Sequence, residues 1–346
     1  MSSEGINWGK GYSSKYYLTF VDVGTWSDMS RLDITGGSIT RSTDELMEAA
    51  DIDCVNYDRD NEECLIRIWF DASQEGELSH IPLFTGWATS PGKNIKGRLT
   101  TSTLQCYSIL KPAQDVLLPP GWYAPLSTDS KELLKELLKP TMANIDFYPD
   151  KPMPTIKEAL IAEENENNLS MAELILYAID WKMQILGDGT LYISPKNISD
   201  NKEKATFDYL HNDILEQSIK VSYDWYSCPN VFRAIVDDTY SIARDNSDSI
   251  FSIKSRGREI WAQESNCELN ENESPSEYAV RRLKELQTVY KTVEYDRRFQ
   301  PDIYPTDHIR LNYPAQDLRG KYQVLSQTIT LGYNAKTSEE VAFENE

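Results

Sequence analysis

The chain has 346 residues, which is enough for two or three domains of ordinary size. Hydrophobic residues make up 40% and charged residues 26% of it, the balance of a folded globular protein, which excludes a disordered or fibrous chain. Its 55 acidic residues outnumber its 35 Lys and Arg residues by 20, which disfavours nucleic-acid binding and attraction to anionic membranes, because both need clustered cations.

The beginning of the sequence, Met1 to Gly5, lacks the basic and apolar regions of a secretory signal. No window reaches the roughly 20 apolar residues of a membrane span. We therefore expect a cytosolic chain without membrane insertion. The cysteines are widely spaced and form no CxxC pair, so we expect reduced, buried thiols rather than a disulfide framework or a zinc site. They are Cys54, Cys64, Cys106, Cys228 and Cys267.

Residues 1–112 are predicted to form a first β domain. Runs of β-branched, aromatic or alternating apolar residues indicate strands at 16–21, 32–39, 64–71, 82–89 and 99–110. Within the second of these, Gly36-Gly37 is typical of a two-residue hairpin turn. Five or six short strands with turn-rich spacers favour a small sandwich or barrel.

Residues 113–182 are predicted to be a linker followed by a mainly helical middle region. Prolines cluster where the linker begins, at Pro112, Pro119, Pro120 and Pro125. Asp129 is expected to cap a helix with four leucines on one stripe, which ends before Pro140. Thr155 with Glu158, and Ser170 with Glu173, have the spacing of capping boxes ahead of further helices.

Residues 183–346 are predicted to form a second β domain. A hairpin is expected over 183–194, turning at 187–189, and further strands at 216–223, 230–236, 240–243, 251–254, 308–312 and 322–331. One helix, 274–290, is inserted: Ser274 is its N-cap, Pro275 its first residue, and Glu277 completes a capping box. The tails, through about residue 10 and after about residue 336, are polar and expected to be mobile.

The predicted fold class is therefore α+β, mainly β. It has two β-barrel or sandwich domains, a helical middle region, and one helix inserted in the second β domain. The two β domains could be structural copies of each other, although no sequence repeat demonstrates this.

The sequence points to no catalytic, cofactor-binding or metal-binding residue. His80, His211 and His308 are isolated, without the spacing of a metal or catalytic motif. Residues 58–62 begin like a calcium loop, but Glu63 and Trp69 occupy the positions of its turn glycine and its bidentate glutamate. The common nucleophile and phosphate-binding signatures are missing from the sequence. We therefore expect no enzymatic activity and no cofactor.

Two basic doublets interrupt the acidic sequence. They are Arg281-Arg282 and Arg297-Arg298. Because the chain as a whole is so acidic, we interpret them as ion-pair partners rather than as a nucleic-acid patch.

Short segments along the chain resemble baseplate hub proteins of phage tails, and their order carries the resemblance. In the amino-terminal part they are ITGGSITRS at 34–42, ADIDC at 50–54, the strand at 66–71 and LFTGWA at 83–88. In the carboxyl-terminal part they are the helix at 274–290, IYPTDHIRL at 303–311 and GKYQVLSQTITL at 320–331. The likeness is greatest to hubs of contractile phage tails and of R-type bacteriocins from Gram-positive bacteria, the defective-prophage kind. Thr306 departs from the family pattern, which often has glycine before the aspartate.

This resemblance implies a homotrimeric structural hub with two tube-protein-like β domains in each chain. Three chains would then present six similar barrels to a hexameric tail tube protein, and the other end would hold a trimeric central spike or tip protein. The tape-measure protein and the baseplate wedge are further implied partners. The protein would assemble in the cytoplasm of a bacterial host and then form part of the virion or tail-like particle.

Two further ideas follow. Part of the acidic excess is hypothesised to line a central channel and to repel DNA passing through it.

Alternatives from other classes stay open, because 55 acids together with 8 Trp and 20 Tyr could furnish a sugar-binding cleft. These alternatives are a cell-wall or polysaccharide hydrolase that uses two carboxylates, and a noncatalytic sugar-binding tail protein.

Overall fold

The computed structural model describes residues 6–343, apart from 45, 58, 60, 61, 90, 91, 98, 197–202, 209–218, 224, 225, 227, 237, 238, 266, 268, 270–272, 289, 290, 315–317 and 333–335. In their described parts, two compact units can be distinguished. The first comprises Met1–Lys202, Arg297–Pro305 and Ser326–Ser338. The second comprises Glu203–Asp296, Thr306–Leu325 and Glu339–Glu346. The structure is mainly β, as predicted.

Strands and short helices follow one another through the first unit. The strands are β1 (Ser13–Val21), β2 (Asp28–Arg41), β3 (Glu48–Val55), β4 (Cys64–Gln74), β5 (Glu77–Thr89), β6 (Lys93–Lys96), β7 (Leu99–Ser108), β8 (Tyr123–Ala124), β9 (Ile145–Phe147), β10 (Leu160–Ile161), β11 (Trp181–Ile185) and β12 (Leu191–Pro195). The helices are α1 (Lys111–Asp115), α2 (Ser130–Leu137) and α3 (Asn168–Ala178), and a 3₁₀ turn covers Lys139–Thr141.

Six antiparallel strands of the first unit pair in a closed ring. The order is β1-β4-β5-β7-β3-β2, and β2 pairs back to β1. Alternate side chains point into the ring and form one core, in which Ile39, Ile52, Ile68 and Leu104 are fully buried. Residues 327–331 extend this sheet by pairing with residues 37–41 of β2.

The prediction of a hairpin turn at Gly36-Gly37 is wrong, because β2 runs through both glycines as one strand. Its pairing with β3 shifts register between Ile34 and Gly36, which marks a bulge. Gly37 has φ of 137°, and a Cβ there would lie 2.2 Å from the backbone oxygen of Asp51. The glycines therefore serve a bulge and a close strand approach rather than a reversal of the chain.

A second core of the first unit joins the helices to short strands. α2 and α3 pack with the β11–β12 hairpin around Leu134, Ile175, Trp181 and Ile193. The hairpin forms as predicted, and β12 also pairs in parallel with β9. The predicted domain boundary between residues 182 and 183 thus lies within β11.

The middle region is less helical than predicted. Asp129 caps α2 as expected, accepting bonds from the backbone N–H groups of Lys131 and Glu132. Thr155 begins no helix; it forms a bridge with Asp129 and leads towards β10. Ser170 is not the N-cap of α3 but its third residue, because Asn167 caps the helix and the two side chains form the capping box.

The second unit again combines strands and helices. Its strands are β13 (Ala205–Asp208), β14 (Lys220–Tyr223), β15 (Val231–Val236), β16 (Thr239–Arg244), β17 (Trp261–Ser265), β18 (Lys291–Arg298), β19 (His308–Tyr313), β20 (Leu318–Leu331) and β21 (Lys336–Phe343). Its helices are α4 (Ile253–Arg256) and α5 (Pro275–Thr288). Parts of β18, β20 and β21 are counted in the first unit, as the ranges given above show.

The main sheet of the second unit repeats the strand order of the first. Its order is β13-β19-β20-β21-β18-β14. Numbered by their position in the chain, the six strands of each sheet follow one another in space as first, fourth, fifth, sixth, third, second. One direction differs: β13 is parallel to β19, whereas β1 is antiparallel to β4.

A smaller sheet, β16-β15-β17, lies in the chain between β14 and β18. α5 packs on one of its faces through Ala279 and Leu283, which share a core with Phe232 and Ala234. α5 begins as predicted: Ser274 and Glu277 bond each other's backbone N–H groups. The end of the predicted helix, including Tyr290, lies outside the described residues.

Two other predictions for this unit are wrong. Residues 251–254 were expected to be a strand, but Ser252 caps the short helix α4 and Gly257 ends it in the left-handed conformation. The chain after residue 336 was expected to be mobile, but it forms β21, where Val341 is fully buried. Of the strand predicted at 216–223, residues 216–218 lie outside the described part.

Candidate interaction surfaces

Within the described part of the chain, no group of three or more His, Cys, Asp or Glu is placed to hold a metal ion. All five cysteines are free and buried, as predicted. Burial raises the pKa of the Cys54 thiol to about 11, which keeps it protonated and unreactive at neutral pH. None of the described helices combines the length and apolar character needed to cross a bilayer.

The two described histidines, His80 and His308, lie on different strands. His80 stacks on Trp69 with ring centroids 3.9 Å apart, and its Nδ1 lies 2.5 Å from the carboxylate of Asp71. His308 begins β19. His211 and most of the calcium-like segment 58–62 lie outside the described residues.

The basic doublet on α5 pairs with acids, as predicted. Arg281 bonds Glu273 and Glu285, and Arg282 bonds Glu264 and Glu285. These carboxylates raise the pKa of Arg281 further above its ordinary value. Arg297 of the other doublet is fully buried, and it donates to the backbone oxygen of Arg298.

A buried arginine joins the ring of the first unit to the β11–β12 turn by hydrogen bonds. Arg67 on β4 makes two bonds of 3.1 and 3.2 Å to Asp28 and also donates to Thr85 and to the backbone oxygen of Asp188. The hydroxyl of Thr85 donates to the backbone oxygen of Gly187. A Cβ on Gly187 would lie 2.0 Å from the backbone oxygen of Pro82, so the turn fits against β5 only with glycine there. These bonds connect the ring to the second core of the first unit, the one that α2, α3 and the β11–β12 hairpin form.

The outer face of the ring carries small polar and acidic side chains. Directly paired residues share a face of the sheet, and one outward row crosses five strands. The row is Thr330, Ser38, Asp51, Gln105 and Thr89. Asp53 and Thr103 pair beside it, joined by a 2.7 Å hydrogen bond between their side chains. This row is hydrophilic and locally negative.

An apolar area with acidic neighbours lies on the connection between β7 and α3. Tyr123 and Ile161 pair directly and are 55% and 66% exposed. Backbone bonds from Leu118 to Glu166 and from Asn168 to Val116 hold the adjoining segments side by side. We call this area the acidic apolar patch. It consists of Val116, Leu117, Tyr123, Leu126 and Ile161 with the exposed carboxylates of Glu158, Glu163 and Glu164.

A second exposed apolar area lies on the small sheet, on the face opposite α5. Trp261 is 46% exposed, and the guanidinium carbons of Arg244 and Arg233 lie 5.3 and 5.9 Å from its ring centroid. Glu259 accepts from both the Trp261 ring and Arg244. We call this area the basic aromatic patch. It consists of Tyr240, Ile242 and Trp261 with Arg233 and Arg244, which share the outward-facing rows of β16, β15 and β17.

Neither patch was predicted from the sequence. A signal for the first was the run VLLPPGWYAPL at 116–126, because an apolar run broken by prolines forms neither a long helix nor a central strand and leaves some of its side chains exposed. The second had a weaker signal, since Trp261 lies in a strand that the sequence analysis did not predict.

No protein-family model and no curated protein matches the chain. Solved structures do match it. The 43 kDa tail protein of prophage MuSo2 from Shewanella oneidensis has a TM-score of 0.67 at 12% identity, covering 95% of this chain and 98% of its own. Prophage tail protein gp18 from Listeria monocytogenes EGD-e has a TM-score of 0.58 at 12% identity, covering 95% and 94%. A Francisella PdpA–VgrG complex has a TM-score of 0.57 at 9% identity, covering 97% of this chain and 58% of that one.

At these identities the matches establish the fold. The first two cover nearly the full length of both chains, so that the likeness extends along the whole chain and is not limited to one sheet. The chain therefore has the fold of a phage tail-type protein.

Proposed function

We propose that this protein is the structural baseplate hub of a contractile tail or tail-like particle. In this role it adapts a hexameric tail tube to a trimeric central spike. The observation that carries the proposal is the strand order repeated in the two units. A chain with two similar six-stranded sheets supplies six similar sheets when three copies form a ring, which matches three-fold to six-fold symmetry.

The matched structures support this role. Two are tail proteins of prophages, and the third is a complex that contains VgrG. The partners proposed for the homotrimer are the tail tube protein on one side and the central spike or tip protein on the other. The tape-measure protein and the baseplate wedge are further candidates. The proposed role is mechanical and has no catalytic step, and the protein would act in the virion or tail-like particle after assembly in the host cytoplasm.

The outer row of the ring is the best candidate for the wall of a central channel. Ser38, Thr89 and Thr330 present short side chains, and Asp51 adds negative charge. A short, hydrophilic and negative surface repels a polyanion and offers it few groups to bind. This supports the hypothesis that part of the acidic excess faces passing DNA.

The proposal is tested by mass and by assembly. Light scattering on the purified full chain is expected to give the mass of three copies, and mixing it with tail tube protein encoded beside it is expected to produce a larger complex. A single copy that stays monomeric at all accessible concentrations and does not join the tube would overturn the hub role. A parallel digestion of purified peptidoglycan separates the classes, since hydrolysis would support the hydrolase alternative.

A further inference from the structure

We propose that the acidic apolar patch of one copy binds the basic aromatic patch of the next copy. The contact then repeats head to tail and closes a ring. The inference rests on the proposed function, which requires a ring of copies, and it identifies the surfaces that hold the ring together.

The acidic apolar patch has the composition of a surface that a binding partner covers. Leu117, Leu126 and Ile161 are 58%, 60% and 66% exposed, and they lie on segments that backbone hydrogen bonds join side by side. Isolated exposed apolar residues are ordinary, but a contiguous group bordered by charges is typical of an interaction site. Three exposed glutamates outnumber the one exposed lysine beside them, Lys157, so the border is net negative and favours a positively charged partner.

The basic aromatic patch has the residue types that dominate binding energy at protein interfaces. Trp, Tyr and Arg are the types most enriched among such residues, and all three occur on this one sheet face. Trp261 is held in place by the two guanidinium groups and by its bond to Glu259. Ordering it on binding therefore costs little conformational entropy.

Charge decides which occupant fits each patch. Arg233 and Arg244 outnumber the one carboxylate beside them, Glu259, so the basic aromatic patch is net positive. In a protein with 20 more acids than bases, such a patch meets an acidic surface on another copy. The acidic apolar patch adds what a general acidic surface lacks, namely exposed apolar side chains beside the carboxylates. Each patch placed against itself would oppose like charges, which disfavours a two-fold contact.

Two different patches that bind each other make a heterologous contact. Such a contact generates a closed ring when the rotation between copies completes a circle. Both patches lie on the same chain, so every copy has one of each and no second protein is needed.

The decisive experiment reverses charge on each patch and then on both. Arg233→Glu with Arg244→Glu is expected to weaken assembly at least tenfold, measured by analytical ultracentrifugation of the full chain at several concentrations. Glu163→Lys with Glu164→Lys is expected to do the same. The chain carrying all four changes is expected to recover assembly, because the two patches are again of opposite charge.

Controls make the same kind of charge reversal at one site elsewhere in each unit. Lys254→Glu is in the second unit, outside the basic aromatic patch, where the exposed ammonium pairs with the exposed carboxylate of Asp248. Glu77→Lys is an exposed site on β5 in the first unit. Both controls should assemble like the unaltered chain. Circular dichroism and thermal melting check that each variant is folded.

The apolar part is tested separately. Leu117→Ser with Ile161→Ser should weaken assembly, whereas Leu78→Ser, at a site 80% exposed on the β4–β5 hairpin, should leave it unchanged. If the unaltered chain forms the ring and the patch variants do so equally well, the inference is overturned and the hub role stands. Failure of the four-fold variant to recover assembly also overturns it. If the unaltered chain never assembles, the proposed function itself fails.

Discussion

The two main sheets have one strand order and two different closures. In the first, β1 pairs with both β4 and β2, so the six strands return on themselves. In the second, β13 is parallel to β19, and within the described residues that is its strand partner. The comparison shows that the order of strands is independent of the direction of the first strand. Closure of a sheet into a ring depends on its first strand, because that strand must pair with a neighbour on each of its two edges, as β1 does with β4 and β2.

The sheets also differ in what the chain inserts between their strands. A short connection of residues 42–47 joins the second and third strands of the first sheet. In the second sheet, the corresponding connection contains β15, β16, α4, β17 and α5. The basic aromatic patch lies on this insertion, and the acidic apolar patch lies on the connection between the two sheets. The repeated strands thus form the frame, while the exposed apolar surfaces lie on segments that are not repeated.

The largest predicted effect comes from replacing Gly37 in the first sheet, compared with replacing Gly320, a glycine of similar backbone conformation in the second. Gly37 in β2 and Gly320 in β20 have φ of 137° and 135°. A Cβ would meet the backbone oxygen of Asp51 in the first case and the movable ring of Phe343 in the second. We expect Gly37→Ala to cost about 3–5 kcal/mol and Gly320→Ala about 1–2 kcal/mol, measured by urea unfolding.

Gly36→Ala is the control for this pair. Its Cβ would lie 3.8 Å from a carboxylate oxygen of Asp53, an ordinary contact. A change of less than about 1 kcal/mol is expected. Equal losses for Gly37 and Gly36 would show that the bulge is not a fixed feature of the first sheet.

The next prediction concerns a carboxyl group buried in the first sheet. Glu48 begins β3 opposite Arg41, and its Oε1 has no hydrogen-bond partner among the described residues. Burial raises the pKa of Glu48 to about 8, with the charge of Arg41 acting in the opposite direction. The buried Glu339 of β21, by contrast, accepts a hydrogen bond from Tyr295.

The sign of the pH dependence follows from the raised pKa. Between the ordinary pKa of a glutamate and about 8, the folded state binds the proton more tightly than the unfolded state, so stability falls as pH rises. Glu48→Gln removes this contribution. Relative to the variant, the unaltered chain should lose on the order of 3 kcal/mol between pH 4.5 and 8, measured by urea unfolding across that range. A constant difference across the range would contradict the buried, protonated carboxyl.

These features also show what the sequence alone could and could not predict. α5 was predicted because its capping box and its apolar stripe are local, lying within one helix. The role of Gly36-Gly37 was not, because the same dipeptide suits a turn or a bulge, and the difference depends on Asp51 in another strand. Thr155 had the spacing of a cap but pairs with Asp129 instead, so a tertiary contact overrode a local preference.

Two of the strands that the sequence analysis missed, β18 and β21, are rich in charged residues. β18 and β21 alternate buried and partly exposed positions, but Arg297 and Glu339 occupy buried ones, so that the apolar alternation typical of a strand is broken. The patches were missed for a related reason. Exposure of Trp261 or Ile161 depends on which neighbours the fold places around them, and no local spacing encodes that.

The third prediction compares arginines on the fourth strand of each sheet. Arg67 on β4 is almost buried and pairs with Asp28, whereas Arg310 on β19 pairs with Glu203 at a site 41% exposed. Removing the buried guanidinium breaks its bonds to Asp28, to Thr85 and to the backbone oxygen of Asp188. We expect Arg67→Ala to cost about 2–3 kcal/mol and Arg310→Ala about 0–1 kcal/mol in urea unfolding, because water screens the exposed pair. Similar costs for the two variants would show that burial does not make the Arg67 interactions more stabilising than those of Arg310.

The smallest predicted effects concern the helix caps, where the two units should agree. Asp129 accepts bonds from the first turn of α2, and Ser274 accepts from Glu277 in the first turn of α5. Each caps a helix through one side-chain oxygen near the surface, so Asp129→Ala and Ser274→Ala should each cost about 1 kcal/mol in urea unfolding. Asp129→Asn and Ser274→Thr keep an accepting oxygen and should recover most of that loss. A cap acts within its own helix, so a clearly larger loss at one site would mean that its side chain also stabilises a neighbouring segment. Asp129 is the site to examine for this, because it forms a bridge with Thr155.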